Sequence, residues 1–473
     1  MRGRLLGIVS AASPVIVALA AIFTMAVPAT GAVGPTNINT SAALGNEAED
    51  AIAVNPANPS NIVTMATLPG VVSGLFEGVS FDGGTTWTRH VIGTGEPLGE
   101  ICCDQQLAWD RFGNLWMVYL FNVGGNVPIA VSTDGGLTFT KVTEIVPTTP
   151  TGSNAPTNPG SKGSASADQP SISVGANSVW VSYTSYPSAV VQASGASVSG
   201  LGQFGSFTEP ESVPTSDGRG NYGDTAVGPD GEVMVVYQDQ TNGQGGSHIY
   251  TAVDPDGFGT SGFTDPRLLA RSRVGGFDYI AAQPHRSVDA ESSLAWDRSG
   301  GSHDGRVYTI WTQETKNESD NMDIMFQYSD DNGATWTPAV KLNDDVTLNS
   351  QFNPAVAVDQ GTGYVAVSWY DARGDLGAGG PGDTDGVPND DVQIWATYSK
   401  DGGATFAPNF QVSQGTSNVN GAESSFDYGD YTHAAFQSGT FYPAWSDNSN
   451  STGDNPDGTL HQLDLYTARV VIQ

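Results

Sequence analysis

Basic residues are scarce in this chain. Against 50 aspartates and glutamates it has 18 lysines and arginines, for a formal net charge of −32. So acidic a surface repels phosphate backbones and anionic headgroups, which excludes nucleic acid and anionic membranes as partners. Histidine and cysteine are scarce too: the six histidines are scattered and the two cysteines are adjacent, so no cysteine set for zinc exists. Also missing are a Gly-x-Ser-x-Gly elbow, a His-Glu-x-x-His pair and a glycine loop followed by lysine for cradling phosphate. No long helical pattern appears. What is plentiful is punctuation, with 59 glycines and 27 prolines separating short alternating runs.

One phrase recurs four times between those runs. It reads Ser80-Phe81-Asp82-Gly83-Gly84-Thr85-Thr86-Trp87, and returns at Ser132 to Phe139, Ser329 to Trp336 and Ser399 to Phe406. Aspartate bonds the amides of its own turn and glycine supplies positive φ, so each copy is a hairpin signal. A hairpin repeated along the chain defines a β repeat protein. The phrase resembles the Asp-box, or BNR repeat, of the sialidase-like β-propellers. That resemblance implies an all-β propeller of four-stranded antiparallel blades, with the box closing the turn between a blade's third and fourth strands. Asp82, Asp134, Asp331 and Asp401 are then structural.

A second repeat counts the blades. Its copies run from Glu49 to Ala66, Asp104 to Tyr119, Asp168 to Tyr183, Tyr222 to Tyr237, Glu291 to Trp311, Asn353 to Trp369 and Tyr431 to Trp445. Runs such as Tyr364 to Trp369 alternate with the period of a strand. Seven copies predict seven blades, with six the alternative if one copy belongs to an insertion. The length of 473 residues would suit two or three domains, but a closed array of blades is one domain whatever its length. Looser boxes are read near Gly205 and from Asp256 to Thr264. Leu463 to Val471 reads as a closing strand, and Pro443 fits an edge or bulge better than a central position.

The first 32 residues carry Arg2 and Arg4, an apolar run from Leu5 to about Val27, and small residues ending Ala29-Thr30-Gly31-Ala32. This is the layout of a secretory signal peptide, cleaved after Ala29 or Ala32, with an uncleaved anchor as the alternative. Residues 33–473 are then one exported propeller without stable membrane insertion.

Cys102 and Cys103 precede the second copy of the strand repeat. Adjacent Cα atoms lie about 3.8 Å apart, below the usual disulfide range. With no other thiol to pair with outside the cell, a vicinal disulfide is still expected, against two reduced buried thiols. In the propellers this chain resembles, the innermost strands begin near the axis and their leading residues line the mouth where ligands bind. The corresponding positions here are Glu49, Asp104, Gln169, Tyr222, Glu291, Asn353 and Tyr431, with Asp50, Asp168, Asp224, Asp289, Asp427, Asp430, His285, Arg286 and His433 nearby.

Carboxylates gathered in a concave site divide into a protonated acid and an ionised base or nucleophile, which glycoside hydrolysis requires. The catalytic candidates are Asp104, Glu291, Tyr222, Tyr431 and Asp430. Candidates for binding substrate are Cys102, Cys103, Gln105, Glu49 and Arg286. The bland reading of such residues is that they bond free backbone amides at strand starts.

The resemblance implies an extracellular carbohydrate as partner. It stops short of sialidase chemistry, which needs three arginines on the substrate carboxylate, a Tyr–Glu pair and an aspartic acid. The first of those arginines lies in an Arg-Ile-Pro motif before blade one, and the segment from Val33 to Trp87 has no arginine. Arg219, Arg273, Arg286 and Arg373 match no family motif, so no sialidase catalytic residue is carried over. A glycosidase is expected, with a glycan-binding lectin, a protein-binding propeller and a polysaccharide lyase as alternatives. For calcium, alternating oxygen donors from Asp371 to Asp391 suit a hard cation, with Asp383, Asp385, Asp390 and Asp391 as candidate ligands.

Overall fold

The alternating runs fold as strands because β-branched and aromatic residues at every second position meet the core on one face of a pleat. A computed structural model describes residues 35–71, 73–148, 166–239 and 243–472, except for the side chain of Tyr222. The signal-peptide reading of residues 1–32 lies outside the described residues. Among the described residues there are seven blade sheets and no α-helix.

Blade 1 shows the plan: Ala48–Val54, Ile62–Thr67, Leu75–Ser80 and Thr88–Ile92 pair in succession, all antiparallel. The innermost strands of the blades are Ala48–Val54, Gly99–Trp109, Ser166–Val174, Asn221–Val227, Ser293–Trp296, Gln351–Val358 and Ala434–Gln437. Each packs against the next and the last packs against the first, which closes the ring. The core lies between blades: Val63, Met65 and Val79 of blade 1 meet Leu115, Met117 and Ala130 of blade 2. Each such side chain contributes about 1.5–3 kcal/mol by leaving water.

Closure differs in detail from the sequence reading. Asp464–Ala468 is the third strand of blade 7, and its outer neighbour is the N-terminal Asn37–Asn39, with Asn37 opposite Ala468. Val470–Val471 pairs separately with Thr440 and Phe441. Pro443 lies in the second strand rather than on an edge, but its place is where the partner strand breaks between Ala468 and Val470. There its missing N–H interrupts no ladder.

The four boxes have one geometry. In the first, Ser80 Oγ donates to Asp82 Oδ1 at 2.9 Å and Thr86 Oγ1 donates to Asp82 Oδ2 at 2.7 Å. The equivalent threonine bonds measure 2.6 Å to Asp134, 2.7 Å to Asp331 and 2.6 Å to Asp401. Blade 4 keeps a degenerate box, in which Ser261 Oγ donates to Asp256 Oδ2 at 2.8 Å and Asp254 accepts from the Asp256 and Gly257 amides.

One insertion matters for the site. Between blades 4 and 5 the chain makes a two-stranded hairpin, Asp278–Ile280 with Gln283–Val288, that carries His285 and Arg286.

Candidate functional site

At the start of five inner strands the backbone turns left-handed at a residue other than glycine: Glu49 (φ 58°), Asp104 (56°), Gln169 (46°), Glu291 (37°) and Asn353 (45°). In blades 1, 2, 3 and 6 the strand register also slips at that point, so the residue occupies a bulge. Side chains with a Cβ adopt this conformation at a cost of about 1 kcal/mol or more each, and such strain gathers at functional sites. These five are among the strand-start positions read from the sequence as facing the axis.

The inserted hairpin delivers the cation. Asp427 holds its base, accepting from the His285 amide at 2.7 Å, the Arg286 amide at 3.0 Å and His285 Nδ1 at 3.1 Å. Arg286 then grips Asp430 through Nε, at 2.5 Å, and through Nη2. Its Nη2 also reaches Glu49 Oε1 at 3.4 Å, and the guanidinium lies 4.9 Å from the Phe426 ring centre. Burial alone would lower the Arg286 pKa, but Asp430, Glu49 and Asp104 more than offset it and Arg286 stays charged.

Around this cation the acids are crowded. Burial first, then Asp104 and Asp430, push Glu49 up to about 8. Burial, Asp168 and Asp430 push Asp104 to about 8, and burial with Asp430 raises Asp168 to about 6. Burial and four neighbouring acids hold Glu291 well above its ordinary range. The Tyr431 hydroxyl is raised by burial and by Asp104, Glu49, Asp430 and Glu291, so it is a proton donor rather than a phenolate. Gln169 ties the ring together, its amide N–H donating to Asp104 Oδ2 at 3.1 Å. Gln169 Oε1, Glu291 Oε2, Asn353 Oδ1 and the Tyr431 hydroxyl are buried with no hydrogen-bond partner. Unsatisfied buried polar atoms cost about 1–3 kcal/mol each, and these four belong to strand-start and axial residues.

The structure therefore brings Glu49, Asp104, Glu291, Asp430, Tyr431 and Arg286 together. Tyr222 lies on its inner strand, and its side chain lies outside the described residues. Cys102 and Cys103 are disulfide-bonded to each other and half-buried, directly before Asp104. Gln105 is fully buried and its amide is spent inside the protein, donating to the Glu49 carbonyl and accepting from Thr67 Oγ1 at 3.0 Å. It is a latch between blades 1 and 2. Asp224 is likewise structural, accepting from Ser171 at 2.5 Å and from Ser293 and Leu294 at 2.9 Å, which joins blades 3, 4 and 5. Asp50 accepts from Ser446 Oγ at 2.8 Å across the closure between blades 1 and 7. Of the four arginines weighed for the funnel, Arg373 pairs with Asp371 and Asp344, and Arg219 and Arg273 are exposed.

The aspartates of blade 6 form a separate group. Asp375, Asp390 and Asp391 offer carboxylate oxygens within 4.8 Å of one another, as do Asp383, Asp385 and Asp391. Asp375 joins the four candidates read from the sequence only because the loop folds back on itself. It accepts from the amides of Asp390, at 2.8 Å, and Asp391, at 3.0 Å. No helix among the described residues is long and apolar enough to cross a membrane.

Comparison with known proteins bears on the fold and its repeats. The BNR/Asp-box repeat profile matches residues 327–338, the third box. No curated protein matches the chain in sequence. Among solved structures, the BP39L lectin from Burkholderia pseudomallei superposes with a TM-score of 0.53 at 12% identity, over 92% of this chain and 96% of the lectin. A Penicillium chrysogenum α-L-arabinanase superposes at 0.45 with 14% identity, over 78% of this chain and 98% of its own. For a Hadza microbial sialidase the values are 0.43 and 14%, over 88% and 75%. Fold and repeats together make this chain a seven-bladed β-propeller that carries BNR/Asp-box repeats.

Proposed function

We propose that the protein is an exported glycosidase acting on a neutral carbohydrate at the axial carboxylate ring. The observation that carries this reading is the ring itself: several buried acids, one arginine already engaged by two of them, and four polar atoms without partners. Asp104, protonated near neutrality and slightly open to solvent, is placed to donate a proton to a glycosidic oxygen. Asp430, ion-paired with Arg286, supplies the charged partner that steers water or attacks the sugar. Glu291 Oε2, Asn353 Oδ1 and Gln169 Oε1 accept from sugar hydroxyls, and Tyr431 donates. The disulfide beside Asp104 offers an apolar face to a sugar ring.

Charge argues for a neutral substrate. A sialic or uronic acid would bring its carboxylate beside Asp430 and would compete with Asp430 and Glu49 for Arg286, whose Nε and Nη2 they already engage. Substituting Asp104→Asn separates catalysis from mere retention. The variant is expected to lose at least about 100-fold in product release from a neutral oligosaccharide while its affinity changes little. Retention of one glycan by wild type, with no product, would replace the glycosidase reading with a lectin. A product ending in a 4,5-unsaturated sugar would replace it with a lyase.

A further inference from the structure

We propose that the blade 6 aspartate cluster is a calcium site that fastens the segment from Ser417 to Tyr431 onto the propeller face. The loop joining Val365–Asp371 to Gln393–Ser399 folds so that five aspartates, 375, 383, 385, 390 and 391, form two overlapping trios sharing Asp391. Asp375, Asp390 and Asp391 are all 1% exposed or less. Asp390 spends Oδ2 on Asn420 Nδ2, at 2.8 Å, and its Oδ1 is buried inside the cluster without any partner.

No lysine, arginine or histidine among the described residues bridges to any of the five. Arg373, the nearest basic residue in sequence, is turned onto Asp371, Asp344 and the Trp395 ring. Buried carboxylates need a counter-charge. Oxygen-only donors, without histidine or thiolate, select a hard cation, and an irregular carboxylate set on a folded-back loop suits the flexible coordination of calcium better than the strict octahedron of magnesium.

The same side chains that would face the ion also grip the next connection. Asp391 Oδ1 accepts from Asn418 Nδ2 at 3.1 Å, and Val392 exchanges both backbone hydrogen bonds with Ser417, at 2.9 and 3.0 Å. Ser417 Oγ accepts from the Tyr428 hydroxyl at 3.0 Å, and the Tyr428 amide donates to Gln283 at 2.9 Å. Two and three residues further on are Asp430 and Tyr431. Calcium here would set the position of the segment that delivers both to the axis.

Calcium binding is readable without any substrate, so it stands or falls separately from the glycosidase proposal. The chelator-treated chain, titrated calorimetrically with calcium chloride, is expected to show saturable binding with a dissociation constant below millimolar, and magnesium binding weaker by about tenfold or more. Asp390→Asn should weaken calcium by at least about tenfold with unchanged circular dichroism. In the wild type alone, calcium should slow amide hydrogen exchange in residues 372–392 and 417–431. Absence of heat at millimolar calcium overturns the proposal, as does binding that leaves exchange in both segments unaltered.

Discussion

Glu49 and Asp104 illustrate how burial turns an ordinary carboxyl into a stored proton. In the unfolded chain both titrate near 4, whereas burial and neighbouring acids raise them to about 8 in the fold. The native state therefore binds protons more tightly between those values. Their contribution to stability is full below about pH 4 and is lost as pH rises through about 8. The box aspartates run the other way: hydrogen bonds, first from Thr86 and from Thr405, lower Asp82 and Asp401 to about 2. Their contribution is present above about pH 4 and is lost as pH falls through about 2. Thermal melts in calcium-free buffer are thus expected to peak on the acid side of neutrality and decline toward about pH 8. Glu49→Gln should flatten that decline; an unchanged slope would mean that Glu49 titrates normally. Arg286→Met removes the cation from Asp430 and Glu49. Allowing for the one-third exposure of Arg286, it is expected to cost about 1–3 kcal/mol in chemical denaturation at neutral pH.

Elements divide into those that build the ring and those that furnish it. Asp331→Ala removes three hydrogen bonds, from Ser329 Oγ at 2.8 Å, Thr335 Oγ1 at 2.7 Å and the Thr335 amide at 2.8 Å, and should cost about 1–2 kcal/mol while leaving ligand binding unchanged. A loss of binding as large as that from Asp104→Asn would contradict the purely structural role of the box. Much of this layer was legible in the sequence. The box spells out its own hydrogen bonds, and the strand repeat located the axial positions Glu49, Asp104, Gln169, Glu291 and Asn353, because a strand start is a fixed point in each copy. The hairpin Asp278–Val288 was not legible as an element, since it breaks the repeat. Arg286 was picked out as a funnel neighbour, yet its grip on Asp430 depends on Asp427, 141 residues away, anchoring the hairpin. Gln105 had the same polar, strand-start signature as Asp104, and Thr67 together with the Glu49 carbonyl turns its side chain inward. Asp375 lay within the segment read for calcium, but it joins the cluster through a loop reversal that no local pattern encodes.

At the scale of the molecule, the ring is closed by three residues from near the other end of the chain. Asn37–Asn39 completes blade 7, and Thr40 and Glu47 add amide bonds to Leu465 and Leu463 at 2.8 and 2.9 Å. Deleting residues up to Asn39 is expected to lower the melting temperature by several degrees and make it depend on protein concentration, as an open blade edge pairs with other copies. A deletion mutant that melts like the full chain would show that the closure is dispensable. The closed ring is also what points several acids at one axis, a place where separate strands from different parts of the sequence share a single environment. The central claim is that this axis performs chemistry on a neutral sugar. Mass spectrometry of pooled neutral polysaccharides and sialoglycans after incubation with the protein tests it most directly. The account predicts water-added oligosaccharides from a neutral glycan, absent with Asp104→Asn. Free sialic acid, or no product from any glycan, would contradict it.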